Sequence, residues 1–335
     1  MRADVLTVTY GDCKGVIPLL RSLEPQLDRV ERIHICHNGP AKFDPNILSA
    51  FAHLPIVLSS NQENLGYGGG INNLWPQTTA PVVIVVNPDV AFEENCLSAL
   101  IVAATDGTAP VLVAGMLLDE DARVNAFALS LTWDGLGVNV ARGLTLPAAD
   151  TEAPLAAVAP SGALFAVSRA AWERHCGGPL FVDSLFLYLE DLALGLKVRR
   201  QGGGIVFCSA ARAVHRFSDT TGKRSALKLF YVERNRLWLQ RALAGRVLCF
   251  ATFPFTVLRY FSYALHMLRA KGGGSHQQAG PGFPDLLTAL LRGWFTGLFL
   301  DLPRDLVPYL GENRDGVSLR RFVAPLREQL RDPTA

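Results

Sequence analysis

Short apolar runs rich in β-branched residues recur through the first 115 positions: VLTVTY (5–10), RIHICHN (32–38), IVLSSN (56–61), PVVIVVN (81–87) and VLVAG (111–115). Between them, CKGVIPLLRSLEPQL (13–27) predicts a helix broken near Pro25. A short helix is expected after the glycine run at 68–70, and another from Glu93 to Ala104. Continuous apolar strands alternating with helices predict an α/β fold, a mostly parallel sheet with helices on both faces. Such sheets bind ligands beyond the carboxyl ends of their strands. Tyr10, Asn38, Asn61 and Asn87–Asp89 fall at such ends, so polar groups from four strands are expected on one rim.

The pattern then loosens. LTLPAADTEAPLAAVAP (144–160) is Ala/Pro-rich and predicts a mobile loop. GALFAVSR predicts a strand, 186–201 a helix and GGIVFC a further strand. From about Ser225 the periodicity is helical, broken by KGGGSHQQAGPGFP (271–284), a flexible linker. After the linker, Leu286, Leu287, Leu290, Leu291, Trp294, Phe295, Leu298, Phe299 and Leu302 recur as pairs every four residues. That broad stripe fits either a helix packed on its own domain or one lying in a membrane interface.

Composition narrows the classes. With 335 residues, 49% of them hydrophobic and 19% charged, the chain can bury a full core and is not a disordered one. The net charge of +2 conceals an asymmetry: Lys197 to Pro284 holds 15 Lys/Arg and only two acids, while 21 acids lie up to Asp191. A basic second half suggests an anionic partner such as a phosphate or an acidic lipid surface. The six cysteines have no metal spacing and fit reduced thiols in a cytosolic protein. The start, Met1-Arg2-Ala3-Asp4, has no leader character. No apolar run reaches the roughly 18 residues of a spanning helix; Val247 to Leu258 comes nearest and contains Pro254.

Several motifs could carry chemistry, each with a plainer alternative. NLGYGGGINN (64–73) leads glycines into a helix N-terminus, which suits a phosphate or simply a structural turn. Asn87-Pro88-Asp89 is ordinary turn chemistry; beside phosphates its carboxylate would need a divalent cation, Mg²⁺ or Mn²⁺, between them. Glu190 and Asp191 open a helix, as dipole complements or as a general base. His215, just past a strand, is a structural histidine or a metal ligand.

Taken in order, these segments resemble the family 2 glycosyltransferases, inverting enzymes with the GT-A nucleotide-diphospho-sugar fold, over about residues 3 to 240. The matching positions are Thr9-Tyr10, His37-Asn38, Asn64-Leu65-Gly66 through Gly70-Ile71-Asn72, Asn87-Pro88-Asp89, Ser161-Gly162, Glu190-Asp191 and His215. The rhamnosyltransferase-like branch is the nearest in character. The resemblance implies that Thr9, Tyr10, His37, Asn38, Asn64, Gly66, Gly70, Asn72, Asn87, Asp89, Ser161 and Gly162 line the nucleotide-sugar site. Asp89, with His215 as co-ligand, would hold Mg²⁺ or Mn²⁺, and Asp191 would be the base, with Glu190 beside it. His37 stands where relatives commonly have an Asp that contacts the pyrimidine, and Ala193 where they have a further acid.

The implied layout is a catalytic domain at 1–224 (nucleotide half to about 115, acceptor half 116–224) and a helical region at 225–335. The implied reaction moves one sugar, L-rhamnose from dTDP-rhamnose, to a surface polysaccharide or lipid-linked glycan precursor. Alternatives are a UDP-sugar donor or a non-catalytic nucleotide-sugar-binding subunit. The enzyme would be cytoplasmic, held at the inner face of the bacterial membrane by its C-terminal helices. No nucleic-acid module is recognisable.

Overall fold

The computed structural model describes residues 1–311 apart from 12, 42, 45, 107–109, 146–156, 216–224 and 271–281, and apart from the side chains of 263–270. The first half alternates as its apolar runs dictate: β1 (Ala3–Thr9), α1 (Val16–Leu23), β2 (Val30–Asn38), α2 (Asn46–Ser49), β3 (Ile56–Asn61), α3 (Gly66–Leu74), β4 (Val82–Val86), β5 (Val90–Phe92), α4 (Cys96–Thr105) and β6 (Leu112–Leu118). Then come β7 (Val124–Ala126), β8 (Ala128–Leu131), β9 (Gly137–Val140), β10 (Ala159–Pro160), β11 (Leu164–Ser168), α5 (Arg169–His175), α6 (Glu190–Arg200) and β12 (Ile205–His215). The chain closes with α7 (Ala226–Ala270), α8 (Phe283–Phe299) and α9 (Leu306–Leu310).

The main sheet has the order β3-β2-β1-β4-β11-β6-β12-β5, with β7 beside β6. It is parallel from β3 to β4, but β11 runs antiparallel between β4 and β6. Six of its nine strands run the same way, as a mostly parallel sheet requires, and β5, β7 and β11 run against them. Alternate residues of β4 explain its uninterrupted apolar character. Ile84 and Val86 pack under α1 and α4, while Val83 and Val85 pack under α3, α5 and α6. Both faces are covered, and each fully buried Val, Leu or Ile contributes about 1.5–3 kcal/mol of transfer energy.

Four expectations need correction. The 186–201 helix begins only at Glu190, because Phe186, Tyr188 and Leu189 have φ of +63°, +66° and +65°. Of the 144–160 loop, 146–156 lie outside the described residues, but Val158 is buried and Ala159–Pro160 pair with β8. The linker ends earlier than Pro284: α8 starts at Phe283, where Gly282 N–H donates to Asp285 Oδ2 at 3.2 Å, and 271–281 lie outside the described residues. The GGIVFC strand runs on past an irregularity at Cys208–Arg212 to His215, held there by β6 and β5.

Part of the basic second half is internal. Arg236, Arg241 and Arg259 are buried, and Lys197 is buried between the rings of Trp172 and Tyr309. Arg200 donates to the carbonyls of Leu310 and Gly311 at the end of α9. These cations neutralise or cap groups of the fold, so the local excess of Lys and Arg overstated the basic surface.

The stripe on α8 divides between both readings. Ala289, Gly293, Gly297 and Leu298 face α7, and a Cβ on Gly297 would lie 2.7 Å from Leu237 Cβ. Small residues thus let the two helices close. Phe283, Leu287, Leu291, Phe295 and Phe299, spaced by four, remain exposed. Val247, Phe250, Leu258 and Phe261 of α7 are exposed as well, and the Phe250 and Phe299 rings lie 6.2 Å apart. By length and composition α7 could cross a membrane, its most apolar window having a mean hydropathy of 1.3. Gly245, at φ +78° and ψ +170°, breaks its helical course.

Candidate active site

One side of the candidate site is organised by Asn38, at the end of β2 and almost fully buried. Its Nδ2 donates to Gly66 O (2.7 Å) and Asn64 Oδ1 (3.2 Å), and its Oδ1 accepts from Asn61 Nδ2 (3.0 Å) and Leu65 N (3.1 Å). One amide thereby shapes the glycine turn. Gly66 needs to be glycine on two counts: φ is +74°, and a Cβ would sit 1.9 Å from Phe186 O. Gly70 lets α3 close on β1, since a Cβ would come within 2.9 Å of the Val8 methyls. Asn72 joins α3 to the segment between α5 and α6, donating to Phe181 O (2.7 Å) and Asp183 Oδ1 (2.8 Å). Asn38, Gly70 and Asn72 therefore build the wall of the site from within.

Thr9 and His37 are likewise turned inward. Thr9 Oγ1 donates to Cys36 O at 3.4 Å. His37 Nε2 meets the carbonyl of Ala41, which can only accept, so Nε2 carries the hydrogen. Nδ1 is then an acceptor, and the Cys13 thiol lies 3.0 Å from it. Both ring nitrogens are engaged by the protein. Tyr10 differs: it is 55% exposed, with its ring over Gly39, and presents an aromatic face at the rim.

Asp89 and His215 are 126 residues apart, and strand register brings them together. Asn87 N–H donates to Ala163 O (3.0 Å), fixing the turn after β4, and β5 pairs with the end of β12 so that Val90 faces His215. His215 Nε2 lies 3.2 Å from Asp89 Oδ1, and Nδ1 lies 3.2 Å from Asn125 Oδ1. With Nδ1–H donating to Asn125, a neutral ring would set its Nε2 lone pair against the carboxylate. A proton or a cation between them relieves that repulsion. One carboxylate oxygen and one imidazole nitrogen fit Mn²⁺ better than Mg²⁺, and two protein ligands leave positions for phosphate oxygens. Among the described residues no group of three or more His, Cys, Asp or Glu could hold a metal. Asn125 escaped the sequence reading because nothing local marks it.

The third element is the N-terminus of α6. Asp191 Oδ2 accepts from Gly162 N–H (2.9 Å) and Oδ1 from Leu192 N–H (2.8 Å). Gly162 thus spends its N–H on the carboxylate, and neighbouring Ser161 is buried, with Oγ accepting from Ala163 N–H at 3.4 Å. Burial raises the pKa of Asp191 despite those two N–H donors. Burial, and then the Asp191 charge, raises that of Glu190, whose Oε2 has no hydrogen-bond partner among the described residues. Tyr67 completes the group: its hydroxyl donates to Gly162 O at 2.8 Å. Burial and the charges of Glu190, Asp191 and Asp89 push its pKa well above the ordinary value, so it stays protonated. An aromatic hydroxyl inside the glycine turn was the available signal for Tyr67, and the sequence reading passed over it.

A carboxylate of raised basicity, an Asp–His pair and a glycine turn thus gather around the Tyr67 hydroxyl. The arrangement can take a proton from a hydroxyl and bind a phosphorylated leaving group. Residues 4–137 match the family model Glycosyl transferase family 2. The chain is 27% identical over 250 residues to the N-acetylglucosaminyl-diphospho-decaprenol L-rhamnosyltransferase of Mycobacterium tuberculosis, covering 67% of this chain and 79% of that one. Among solved structures it is similar in fold to the mannosyltransferase PcManGT of Pyrobaculum calidifontis in complex with GDP-Man and Mn²⁺ (TM-score 0.51, 13% identity, 89% and 87% of the two chains). It is also similar to S. aureus TarS 1-349 in complex with UDP-GlcNAc (TM-score 0.50, 14% identity, 92% and 84%).

Proposed function

We propose that this chain, which has the GT-A fold and matches the family 2 glycosyltransferases over residues 4–137, inverts the anomeric centre of a sugar while moving it from a nucleoside diphosphate to a lipid-linked glycan. The observation that carries the proposal is Asp191, held by two backbone N–H groups and raised in pKa by burial near Tyr67. Asp191 takes the proton of the acceptor hydroxyl as that oxygen attacks the anomeric carbon, and the bond to the nucleoside diphosphate breaks on the opposite face. One displacement needs one base, whereas a retaining hydrolase needs a nucleophile and an acid. Asp89 and His215 would hold a divalent cation, which neutralises charge developing on the departing diphosphate. The exposed ring of Tyr10 offers a stacking surface for the nucleobase.

L-Rhamnose from dTDP-rhamnose is the donor this reading favours, and a lipid diphosphate bearing N-acetylglucosamine the acceptor, on the strength of the mycobacterial relative's name. Calorimetry with and without Mn²⁺ against dTDP-rhamnose, UDP-galactose, UDP-glucose, UDP-N-acetylglucosamine and GDP-mannose tests this. Metal-dependent binding of dTDP-rhamnose, lost in Asp89→Ala, is expected. Equal binding without metal would remove the cation from the reading, and selective binding of a UDP-sugar would replace the donor.

The second part of the reading concerns place. The exposed apolar face of α8 and the second half of α7, with Arg246 and Arg292 exposed beside it, rests on the inner surface of the cytoplasmic membrane near its lipid-borne acceptor. Co-sedimentation with anionic vesicles at moderate salt is expected, and the Phe295→Ser/Phe299→Ser double variant should reduce it severalfold. An unmodified enzyme that stays in the supernatant would end this part of the proposal.

A further inference from the structure

The backbone that delivers Asp191 to the site is unusual. Phe186, Tyr188 and Leu189 all bear side chains and all have φ near +65°, each disfavoured by about 1 kcal/mol or more. None is a glycine, so contacts from elsewhere must hold the segment. Asn235, on α7 and fully buried, supplies them. Its Nδ2 donates to Leu185 O (2.9 Å), Leu187 O (2.9 Å) and Tyr188 O (2.8 Å). Arg234 Nε donates to Asn235 Oδ1 at 2.9 Å. A guanidinium can only donate, so this contact fixes which end of the amide faces the loop. Arg234 Nη2 adds bonds to Ser184 O (3.1 Å) and Leu185 O (3.0 Å). From the opposite side, Tyr67 N–H donates to Phe186 O at 2.9 Å. The loop is thus clamped between α7 and the glycine turn, and Glu190 and Asp191 follow it directly.

We propose that Asn235, oriented by Arg234, is a positioning residue for the reaction: it holds the 185–189 backbone in the left-handed course that places the Asp191 carboxylate. It reaches the chemistry only through that loop. The inference rests on the reading of Asp191 as the base, and the experiment separates the two. Asn235→Ala, Arg234→Lys and Asp191→Asn are compared with the wild-type enzyme for kcat, acceptor KM, donor binding, thermal transition and the acid limb of the kcat–pH profile.

A misplaced base should lower kcat by about 10²-fold in Asn235→Ala, with donor binding nearly unchanged. Loosening the loop admits water to the carboxylate, so the acid limb should move to lower pH; the titratable groups near Asp191 are Glu190 on its own helix and Tyr67 on α3, whose hydroxyl also feels the charge of Asp89 after β4. A residue that only stabilised the fold would lower the thermal transition and leave that limb in place. Should Asn235→Ala fail to fold, Arg234→Lys decides: it keeps the charge and loses the Nε–H donor that orients Asn235. A smaller kcat loss with the same shift supports the proposal, and an unshifted limb at wild-type kcat overturns it. Loss of activity in Asp191→Asn with wild-type behaviour in both α7 variants would sink the positioning role alone. An active Asp191→Asn enzyme would remove the base and, with it, the role of Asn235.

Discussion

Asp191→Asn should lower kcat by about 10²–10⁴-fold, the usual contribution of a positioned base, with donor affinity held within a factor of about two. An amide has nearly the shape of the carboxylate but cannot take the acceptor proton. The donor turn is built by Asn38 and Asn64 and does not depend on that charge. The pH dependence has a definite sign. Burial raises the pKa of Asp191, and that of Glu190 beside it, so the ionised base accumulates only as pH rises through a range above that of ordinary carboxylates. In the wild-type enzyme kcat should fall on the acid side at a pH where an exposed aspartate would still be ionised. Steady-state kinetics across pH, together with donor titrations of the variant, checks both statements. A variant that retains a tenth of wild-type kcat would exclude Asp191 as the base.

Glu233→Ala should cost about 3–5 kcal/mol of stability, as breaking a buried ion pair does. Glu233 is completely buried; Arg236 Nε (3.1 Å), Arg259 Nη2 (2.9 Å) and Trp294 Nε1 (2.6 Å) all donate to its carboxylate. Arg259 also lies 3.1 Å from Asp134, which accepts from Thr256 Oγ1 at 2.9 Å, while Arg236 Nη1 donates to Asp134 O at 2.7 Å. One network therefore ties the β8–β9 turn to both parts of α7 and to α8, and the alanine leaves two buried guanidinium groups to share the single carboxylate of Asp134.

Burial alone would raise the Glu233 pKa, but Arg236 and Arg259, with Trp294, hold it below the ordinary glutamate value. A lowered folded-state pKa means the stabilisation is present above the unfolded pKa and is lost as pH falls through the folded one. Denaturant unfolding of the wild-type protein should therefore steepen with acid more than that of Glu233→Gln. A loss below about 1 kcal/mol for Glu233→Ala would show that solvent reaches the network.

Much of the first half was legible in the chain. The runs around Leu6, Ile33, Ile56 and Ile84 became β1 to β4: the inner strands are largely apolar because both of their faces are covered, whereas β3 at the sheet edge is at most half-buried. Asn38, Asn87 and Asp89 ended up at strand ends for the same reason. The roles of the polar residues were harder to read. Asn38 and Asn72, expected to face a ligand, bond to backbone and side chains of the protein, and His37 has both nitrogens occupied. A sequence shows that an amide is present but does not show which partner is nearer.

What the sequence determined by itself was the material of the fold: strand-forming runs, the glycine turn, the carboxylates at a helix start and the histidine near a strand end. Each depends on interactions within a few residues, so local pattern suffices. Tertiary structure alone decided the antiparallel entry of β11, the meeting of Asp89 with His215 through the β5–β12 register, and the left-handed course of Phe186–Leu189 under Asn235. It also took Arg236, Arg241 and Arg259 of α7 out of solvent and into the core. Those outcomes turn on contacts tens of residues apart, where a strained backbone or a buried charge is stable only because distant groups close around it.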